Sequence, residues 1–183
     1  MKNYKKNLNL LTKNHVYSKE MEHDACGVGL IASTEGKKSR AVVEYGIEAL
    51  KAVWHRGAVD ADGKTGDGAG IHVEIPKDFF IEKIEVTGHD YDNSEICVGM
   101  IFLPRNDYSS QENCKTIVES ELTKNNFSIY GWRQVPVNPK VLGEKALQTM
   151  PEIIQVLFKS NDPNLLDKNL ERKIYETRKR IEN

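Results

Sequence analysis

Apolar residues recur along this chain at intervals that predict a mixture of helices and strands. In "RAVVEYGIEALKAVWH", Val43, Ile47, Leu50 and Trp54 fall at helical spacing, and Ser39 stands where a residue that caps a helix is expected. The last stretch, "DPNLLDKNLERKIYETRKRIEN", repeats that spacing with charged residues on the opposite face. Both segments are therefore predicted to form amphipathic helices.

A third amphipathic helix is predicted over "YSSQENCKTIVESELTKNN", with Ile117, Val118 and Leu122 facing inward. Strands are predicted at "CGVGLIAS", "FSIYGWRQVPV" and "IIQVLFKS". "GIHVEIP" alternates apolar and polar residues, as in a strand with one face buried. "EICVGMIFLP" is almost continuously apolar, which indicates a strand buried on both faces.

This order of elements favours an α/β (α+β) fold in which sheets lie between layers of helices. The first two predicted strands flank one helix, and no repeat or low-complexity tract interrupts the pattern. A chain of 183 residues can form one domain with a substantial core. It ends inside a polar helical pattern, "RKRIEN", which suggests a fragment of a longer protein.

Charge and hydropathy give no reason to expect a nucleic-acid or membrane partner. The formal net charge is −1, so no strong field favours nucleic acid or an anionic lipid surface. No apolar run approaches the roughly 20 residues of a membrane span. In the first 25 residues, polar residues interrupt "NLNLLTKN" and "KEMEHDA" is charged, so the segment lacks the apolar core of a secretory signal. They are predicted to be a disordered tail or a removable pro-segment.

Three cysteines, Cys26, Cys97 and Cys114, are unevenly spaced, and none forms a CxxC pair. A zinc site or a dithiol redox pair is therefore not expected. Free thiols are typical of a reducing compartment, which favours the cytoplasm. Cys97 and Cys114 are interpreted as packing residues.

The loop "HRGAVDADGKTGDGAG" contains a Gly-Lys-Thr that resembles a phosphate-binding loop. Ala58 stands where that motif requires its first glycine, and the preceding segment has helical periodicity. Asp60, Asp62 and Asp67 suggest calcium, but lysine and threonine occupy the fifth and sixth positions, which should hold an oxygen ligand and a glycine. Taken alone, the loop reads as a tight structural turn.

Cys26 lies where a polar leader changes into a predicted strand, and this position suits a nucleophile. If the bond between Ala25 and Cys26 is cut, the residue gains an α-amine with a pKa of about 7.7–8.0, which can act as a general base. Its thiolate is a strong nucleophile for acyl transfer. One residue would then supply both groups, and a histidine base such as His55 is unnecessary. The competing interpretation is a cysteine that packs in the core.

Three stretches in the same order, "EHDACGVGLIA", "WHRGAVDADGKTGDGAGIHVEIP" and "GWRQVPVNPKVLGEKALQTMPEIIQV", resemble the start of the glutamate synthase large subunit. The resemblance covers most of the chain from Glu22 onward. It implies a class II glutamine amidotransferase domain of the N-terminal-nucleophile hydrolase type. The implied fold is a four-layer α/β/β/α sandwich, incomplete in this chain. Residues 1–25 would be a pro-segment removed on maturation, and residues 26–183 the N-terminal part of the domain.

By this resemblance Cys26 is the catalytic residue that attacks the side-chain amide of L-glutamine and forms a thioester. Arg56 and Gly57, in "HRG", match a segment that the family places beside the nucleophile. "TGDGAG" would shape the same neighbourhood through its backbone. The family's oxyanion donors and its ligands for the α-groups of glutamine have no match in the chain. The 183-residue chain alone is therefore expected to have little or no glutaminase activity.

The resemblance also implies partners and cofactors beyond this chain. In the whole protein, ammonia would pass to 2-oxoglutarate in downstream synthase domains that hold FMN and an iron–sulfur cluster, and a small NADPH-oxidising subunit could bind there. NADPH, NADH and ferredoxin all stay open as electron donors. Neither cofactor nor any metal is expected to bind residues 1–183. A cysteine hydrolase acting on another amide, and a non-catalytic remnant or interaction domain, are the alternatives.

Overall fold

A computed structural model of the chain describes residues 27–183, which divide into two units. Residues 27–58 and Asp67–Ile71 belong to the first unit, whereas Val59–Gly66 and His72–Asn183 belong to the second. No helix in this part of the chain is long and apolar enough to span a bilayer. The only sheet that these described residues form lies in the second unit.

Among its described residues, the first unit contains one α-helix, α1, which spans Arg40–Ala52 as the apolar spacing predicts. Ser39 occupies the N-cap position with an extended backbone, although its side chain accepts no capping hydrogen bond. The apolar stripe of Val43, Ile47 and Leu50 is half-buried, and no residue of α1 is fully buried. A single 3₁₀ turn, Trp54–Arg56, follows the helix.

Two predicted strands are wrong for the described residues. Residues 27–33 and residues 70–76 have no regular structure, and the side chains of Val28 and Leu30 are 91% and 89% exposed. A strand needs a neighbouring strand to accept its backbone hydrogen bonds, and no described strand pairs with either segment. Their alternating apolar residues therefore lack the partner that their pattern predicts.

The second unit is built on a three-stranded sheet in the order β1-β3-β2. The strands are β1 (Cys97–Leu103), β2 (Phe127–Gln134) and β3 (Glu152–Ser160), and β3 pairs antiparallel with both neighbours. Five consecutive residues of β3, from Ile154 to Phe158, are buried. This is the burial expected for a central strand that is covered on both faces. The strand predictions for these three segments are confirmed.

Helices cover both faces of this sheet. On one face, α3 (Tyr108–Lys124) and α5 (Asp167–Ile181) pack through Val118, Leu122 and Leu170 against Val156 and Phe158. On the other face, α2 (Lys77–Val86) packs through two buried residues onto the far side of β3 and β2; these residues are Phe80 and Ile84. The predicted mixed class is confirmed. Residues 27–183 build one sheet, so the four-layer sandwich is incomplete in this part of the chain.

Three details differ from the sequence prediction. Ile117 is predicted to face inward together with Val118 and Leu122. Val118 and Leu122 do pack toward the sheet, but Ile117 is 50% exposed. In β1, Met100 and Phe102 are exposed, although the apolar run predicted burial on both faces. On the face of the sheet that α2 covers, Val98 packs into the hydrophobic cluster, whereas Met100 and Phe102 do not. Helix α2 therefore covers only the first part of β1.

Gly131 permits a close approach between β2 and the turn after α2. The pairing of β2 with β3 shifts register between Ile129 and Gly131, and Gly131 has a φ of +150°. A Cβ at this position would lie 2.8 Å from Thr87 Cγ2. The Thr87 hydroxyl is itself 2.8 Å from the Tyr130 carbonyl and 2.6 Å from the Ile84 carbonyl, so Thr87 cannot easily move away.

Replacing Gly131 with alanine is expected to lower the free energy of unfolding by about 1–3 kcal/mol, because the new methyl group overpacks the contact with Thr87. Chemical denaturation followed by circular dichroism measures this change. The double variant Gly131→Ala with Thr87→Ser should recover part of the loss, since serine lacks the Cγ2 atom. An unchanged denaturation midpoint in the Gly131→Ala variant would contradict the assignment of this contact.

Candidate active site

The predicted nucleophile, Cys26, lies outside the described residues, whereas the residues that follow it belong to the first unit. Arg56 is the last residue of the 3₁₀ turn after α1, and Gly57 follows it directly. The Gly57 N–H donates to the Trp54 carbonyl at 3.0 Å. A Cβ on Gly57 would approach the same carbonyl oxygen to 3.3 Å, so a side chain at this position would press on the turn.

The glycine-rich stretch after Gly57 forms a short hairpin rather than an open loop. Val59 and Gly66 make an antiparallel bridge, and the Asp60 N–H donates to the Thr65 carbonyl at 2.8 Å. The turn closes through Gly63, whose N–H donates to the Asp60 carbonyl at 2.9 Å. Gly63 has a φ of +68°, which glycine adopts without steric cost. We call residues 59–66 the hairpin.

Asp62 organises the tip of the hairpin. Its carboxylate accepts hydrogen bonds from the Lys64 N–H at 2.9 Å, the Thr65 N–H at 2.7 Å and the Thr65 hydroxyl at 2.5 Å. The Glu144 N–H is a further donor. These donors, the Thr65 hydroxyl first, hold the pKa of the Asp62 carboxyl well below its usual range. Asp62 is therefore ionised at any physiological pH.

This geometry supports neither a calcium site nor a phosphate-binding loop at the hairpin. The Asp60 carboxylate contacts Lys145 and the Ala61 N–H, and the Asp67 carboxylate accepts from the Ala58 N–H at 3.0 Å. Within residues 27–183, no group of three or more His, Cys, Asp or Glu side chains is arranged to hold a metal ion. A helix and a 3₁₀ turn precede the loop, whereas a phosphate-binding loop follows a strand.

Sequence reasoning missed the support of the hairpin, which comes from a distant segment. Gly143 precedes the short helix α4 (Glu144–Thr149) and is buried. A Cβ on Gly143 would lie 2.5 Å from the Thr65 backbone nitrogen, and closer still to the side chains of Thr65 and Asp62. Lys145 Nζ contacts Asp60 Oδ2 at 2.6 Å. No local pattern signals these contacts, because the ion-paired residues are 85 positions apart in the chain.

Of the other two cysteines, Cys97 fits the prediction that it is a packing residue. Cys97 is buried at the start of β1, and its thiol lies 3.9 Å from the Glu95 carbonyl. Burial first, and then the charges of Glu95 and Glu171, raise the pKa of the Cys97 thiol from 9.0 to about 12. A thiol with this pKa is not a nucleophile at neutral pH. Cys114 is half-buried on α3.

Alkylation should distinguish the two packing cysteines. At pH 8, iodoacetamide is expected to modify Cys114 in the folded protein and to leave Cys97 unmodified, since a thiol with a pKa near 12 carries almost no thiolate. Peptide mass spectrometry measures the difference, and denaturation in urea should abolish it. Rapid modification of Cys97 in the folded state would contradict the burial described here.

The raised pKa of the Cys97 thiol also makes the free energy of unfolding depend on pH in the alkaline range. The folded state favours the protonated Cys97 thiol. The contribution of this thiol to the free energy of unfolding is therefore fully present below pH 9.0 and is lost as the pH rises toward about 12.

A cavity of about 150 Å³ beside Cys97 does not suit glutamine. Its walls are mostly apolar, and the two charged residues that line it, Glu95 and Glu171, are both carboxylates. The α-carboxylate of an amino acid would be repelled by both residues. The cavity lies among β1, β3 and α5, and Ile75 also lines it.

Comparison with known proteins identifies the family and its extent. The sequence model of the class-II glutamine amidotransferases matches residues 26–183. The large chain of an NADPH glutamate synthase from Azospirillum brasilense is 52% identical over 179 residues, which cover 98% of this chain and 12% of that protein. Ferredoxin-dependent glutamate synthase 1 of Arabidopsis thaliana is 41% identical over 162 residues, covering 88% of this chain and 10% of that protein.

The ferredoxin-dependent glutamate synthase of Pyropia yezoensis is 38% identical over 174 residues, which cover 94% of this chain and 11% of that protein. The chain thus spans 10–12% of the length of these three relatives. The family match starts at the predicted nucleophile, Cys26, and includes the hairpin and its support. The chain belongs to the class-II glutamine amidotransferases.

Proposed function

We propose that this chain supplies the nucleophile and neighbouring loops of the glutamine-hydrolysing domain of a glutamate synthase. One observation carries the proposal: the family match begins at Cys26 and continues to the last residue. The relatives that align over almost the whole chain are named as glutamate synthases, which supports the same assignment. The match with the Azospirillum protein covers 98% of the chain, so it extends into the segment before Cys26.

The proposed mechanism uses both functional groups of a mature N-terminal Cys26. Removal of residues 1–25 converts an amide nitrogen, which cannot accept a proton, into an α-amine that can. The amine takes the thiol proton while the sulfur attacks the side-chain carbonyl carbon of L-glutamine. The proton then passes to the departing nitrogen, and ammonia leaves a γ-glutamyl thioester. Water attacks the thioester, releases glutamate and restores the thiol.

Arg56 and Gly57 have a supporting role in this proposal. Gly57 continues the hydrogen-bonded turn that ends at Arg56, and a larger residue at Gly57 would strain that turn. We assign Arg56 to the neighbourhood of the nucleophile as a positive charge, because the resemblance of "HRG" to the family's segment implies that position. A cation there would favour the thiolate over the thiol.

The 183-residue chain alone is proposed to have little or no glutaminase activity. Loss of one oxyanion donor costs roughly 10²–10³ in rate, and no residue of the chain has been assigned to that role. The exposed apolar residues of 27–33 and 70–76 support this view, because they lack paired strands among the described residues. Measurable glutamine hydrolysis by the 183-residue chain, abolished by Cys26→Ala, would contradict it.

In the whole protein, ammonia is proposed to pass to downstream domains that convert 2-oxoglutarate to glutamate. The iron–sulfur cluster implied for those domains does not fit residues 27–183, and FMN is implied for the same downstream domains. Cys97 and Cys114 are the only cysteines there, and Cys97 is buried with a raised pKa. No step of the proposed hydrolysis therefore uses either group. A small NADPH-oxidising subunit and a cytoplasmic location complete the proposal.

Intact mass and N-terminal sequencing of the protein from its natural source test the proposal, together with an assay of ammonia released from glutamine. We expect the mature chain to begin at Cys26, to exceed 183 residues and to release ammonia. A glutamine-hydrolysing protein that still begins at Met1 would rule out the α-amine mechanism. A short, inactive chain with its leader attached would favour a non-catalytic remnant. Release of ammonia from another amide only would indicate a different hydrolase.

A further inference from the structure

The hairpin connects two segments that the proposed function places near the nucleophile. Before it come Arg56 and Gly57, and after it come Asp67–Ile71, which contain the rest of "TGDGAG". These flanking segments belong to the first unit, whereas Val59–Gly66 belongs to the second. The hairpin is therefore the point where the chain enters the second unit and leaves it again.

The hairpin is held within the second unit by what we call the clasp, formed by Asp60, Asp62, Thr65, Gly143 and Lys145. Lys145 Nζ pairs with Asp60 Oδ2 at 2.6 Å, and Asp62 accepts from the backbone N–H at the start of α4. A negative charge at a helix N-terminus is electrostatically favourable. Gly143 is buried against Thr65 so closely that no side chain fits between them.

The two ends of the hairpin are also tied to each other. Val59 and Gly66 form the bridge at its base, and one residue further out the Ala58 N–H donates to Asp67 Oδ2 at 3.0 Å. A displacement of the hairpin would therefore move both ends together. Since Gly57 and Gly68 lie immediately beyond these ties, the displacement would reach both segments that flank the hairpin.

The ion pair of the clasp is a small source of stability. Lys145 is largely exposed, and an exposed ion pair adds little to folding free energy. By contrast, catalysis is sensitive to small displacements, and an error of about 1 Å caused by a distant mutation can cost about 10²-fold in rate. A role in positioning and a role in stability therefore predict different results for the same substitutions.

We propose that the clasp is a positioning device for the active site. It holds the hairpin, to which Arg56–Gly57 and the glycine-rich segment are directly joined along the chain. This inference rests on the proposed function and extends it to residues 143–145, which lie far from Cys26 in the sequence. Asp62, Thr65, Gly143 and Lys145 are positioning residues, because they act through the loops rather than on glutamine.

The test uses the full-length, mature gene product and measures kcat and KM for glutamine hydrolysis. Thr65→Val removes the hydroxyl and keeps the shape, whereas Thr65→Ser keeps the hydroxyl that donates to Asp62. Lys145→Met removes the charge, whereas Lys145→Arg keeps it. Gly143→Ala forces the hairpin away from α4. The matched control is Lys115→Met, which breaks the ion pair of Lys115 with Glu112, 2.8 Å long, on α3.

We expect Thr65→Val and Gly143→Ala to lower kcat by about 10- to 10²-fold. KM should change little, because no residue that binds the α-groups of glutamine has been assigned to this chain. The rate at which a glutamine analogue with an electrophilic δ-carbon alkylates Cys26 should fall in parallel. Thr65→Ser, Lys145→Arg and Lys115→Met should retain near wild-type kcat, and Lys145→Met should lose less than Gly143→Ala.

The outcomes separate this inference from the proposed function. A wild-type protein that neither hydrolyses glutamine nor reacts at Cys26 would refute the proposed function and the clasp with it. An active wild type with undiminished kcat in Thr65→Val and Lys145→Met would refute the clasp alone. Losses of kcat that merely follow the loss of folded protein, measured by thermal unfolding, would make the clasp structural and would also refute the inference.

Discussion

Replacement of Cys26 with alanine is expected to abolish glutamine hydrolysis by the full-length protein. Without the thiol no thioester forms, and loss of the nucleophile in a covalent mechanism costs on the order of 10⁶-fold in kcat. Glutamine should still bind, because the thiol contributes to the reaction rather than to recognition of the α-groups. Ammonia release measures the loss, and protection from thermal unfolding by glutamine measures the binding.

Two controls make the Cys26 result specific. The variant should be expressed without residues 1–25, so that an uncut leader cannot account for inactivity. Cys114→Ala should leave activity unchanged, because that thiol is half-buried on α3 and has no proposed role. Cys26→Ser keeps the α-amine and replaces the thiol with a weaker nucleophile, so its activity should be low. Substantial hydrolysis by the Cys26→Ala protein would contradict the proposed mechanism.

Replacement of Leu157 with alanine is expected to produce the largest loss of stability in the second unit. Leu157 lies in the central strand β3, is 0% exposed, and packs with Phe80, Ile84 and Tyr130 under α2. A buried leucine-to-alanine change costs about 2–5 kcal/mol, since it removes apolar contacts and leaves a cavity. Chemical denaturation followed by circular dichroism should show a clear fall in the midpoint.

Leu166→Ala is the matched control for this change. The two substitutions remove the same atoms, but the side chain of Leu166 is 53% exposed before α5 and has little burial to lose. Its effect should stay within about 0.5 kcal/mol, as for most surface substitutions. Equal losses in the two variants would show that β3 is not the centre of this core.

The amphipathic helices and the sheet strands of the second unit could be predicted because their patterns are local. In α3 and α5, apolar residues at helical spacing supply one face, and β3 is apolar at four of its five buried positions, with Gln155 as the exception. Helix α2 was missed because its apolar residues do not form one stripe, and only Phe80 and Ile84 are buried. Its position depends on contacts with β2 and β3, which no local window contains.

The candidate site shows the same division between local and distant information. Cys26 could be proposed from the change in composition around it and from the chemistry of an N-terminal cysteine, and Arg56 and Gly57 from the family resemblance. The apolar alternation at residues 27–33 and 70–76 gave wrong strand predictions within the described chain, because a strand forms only where another strand pairs with it.

By itself, the sequence determined the family, the proposed nucleophile and the helices and strands whose apolar spacing is regular. Only the tertiary structure revealed that the glycine-rich stretch is a hairpin held by Gly143 and Lys145. The physical reason is distance along the chain: the ion pair between Asp60 and Lys145 joins residues 85 positions apart. Such a contact exists only after folding brings both segments together, so no spacing of nearby residues can signal it.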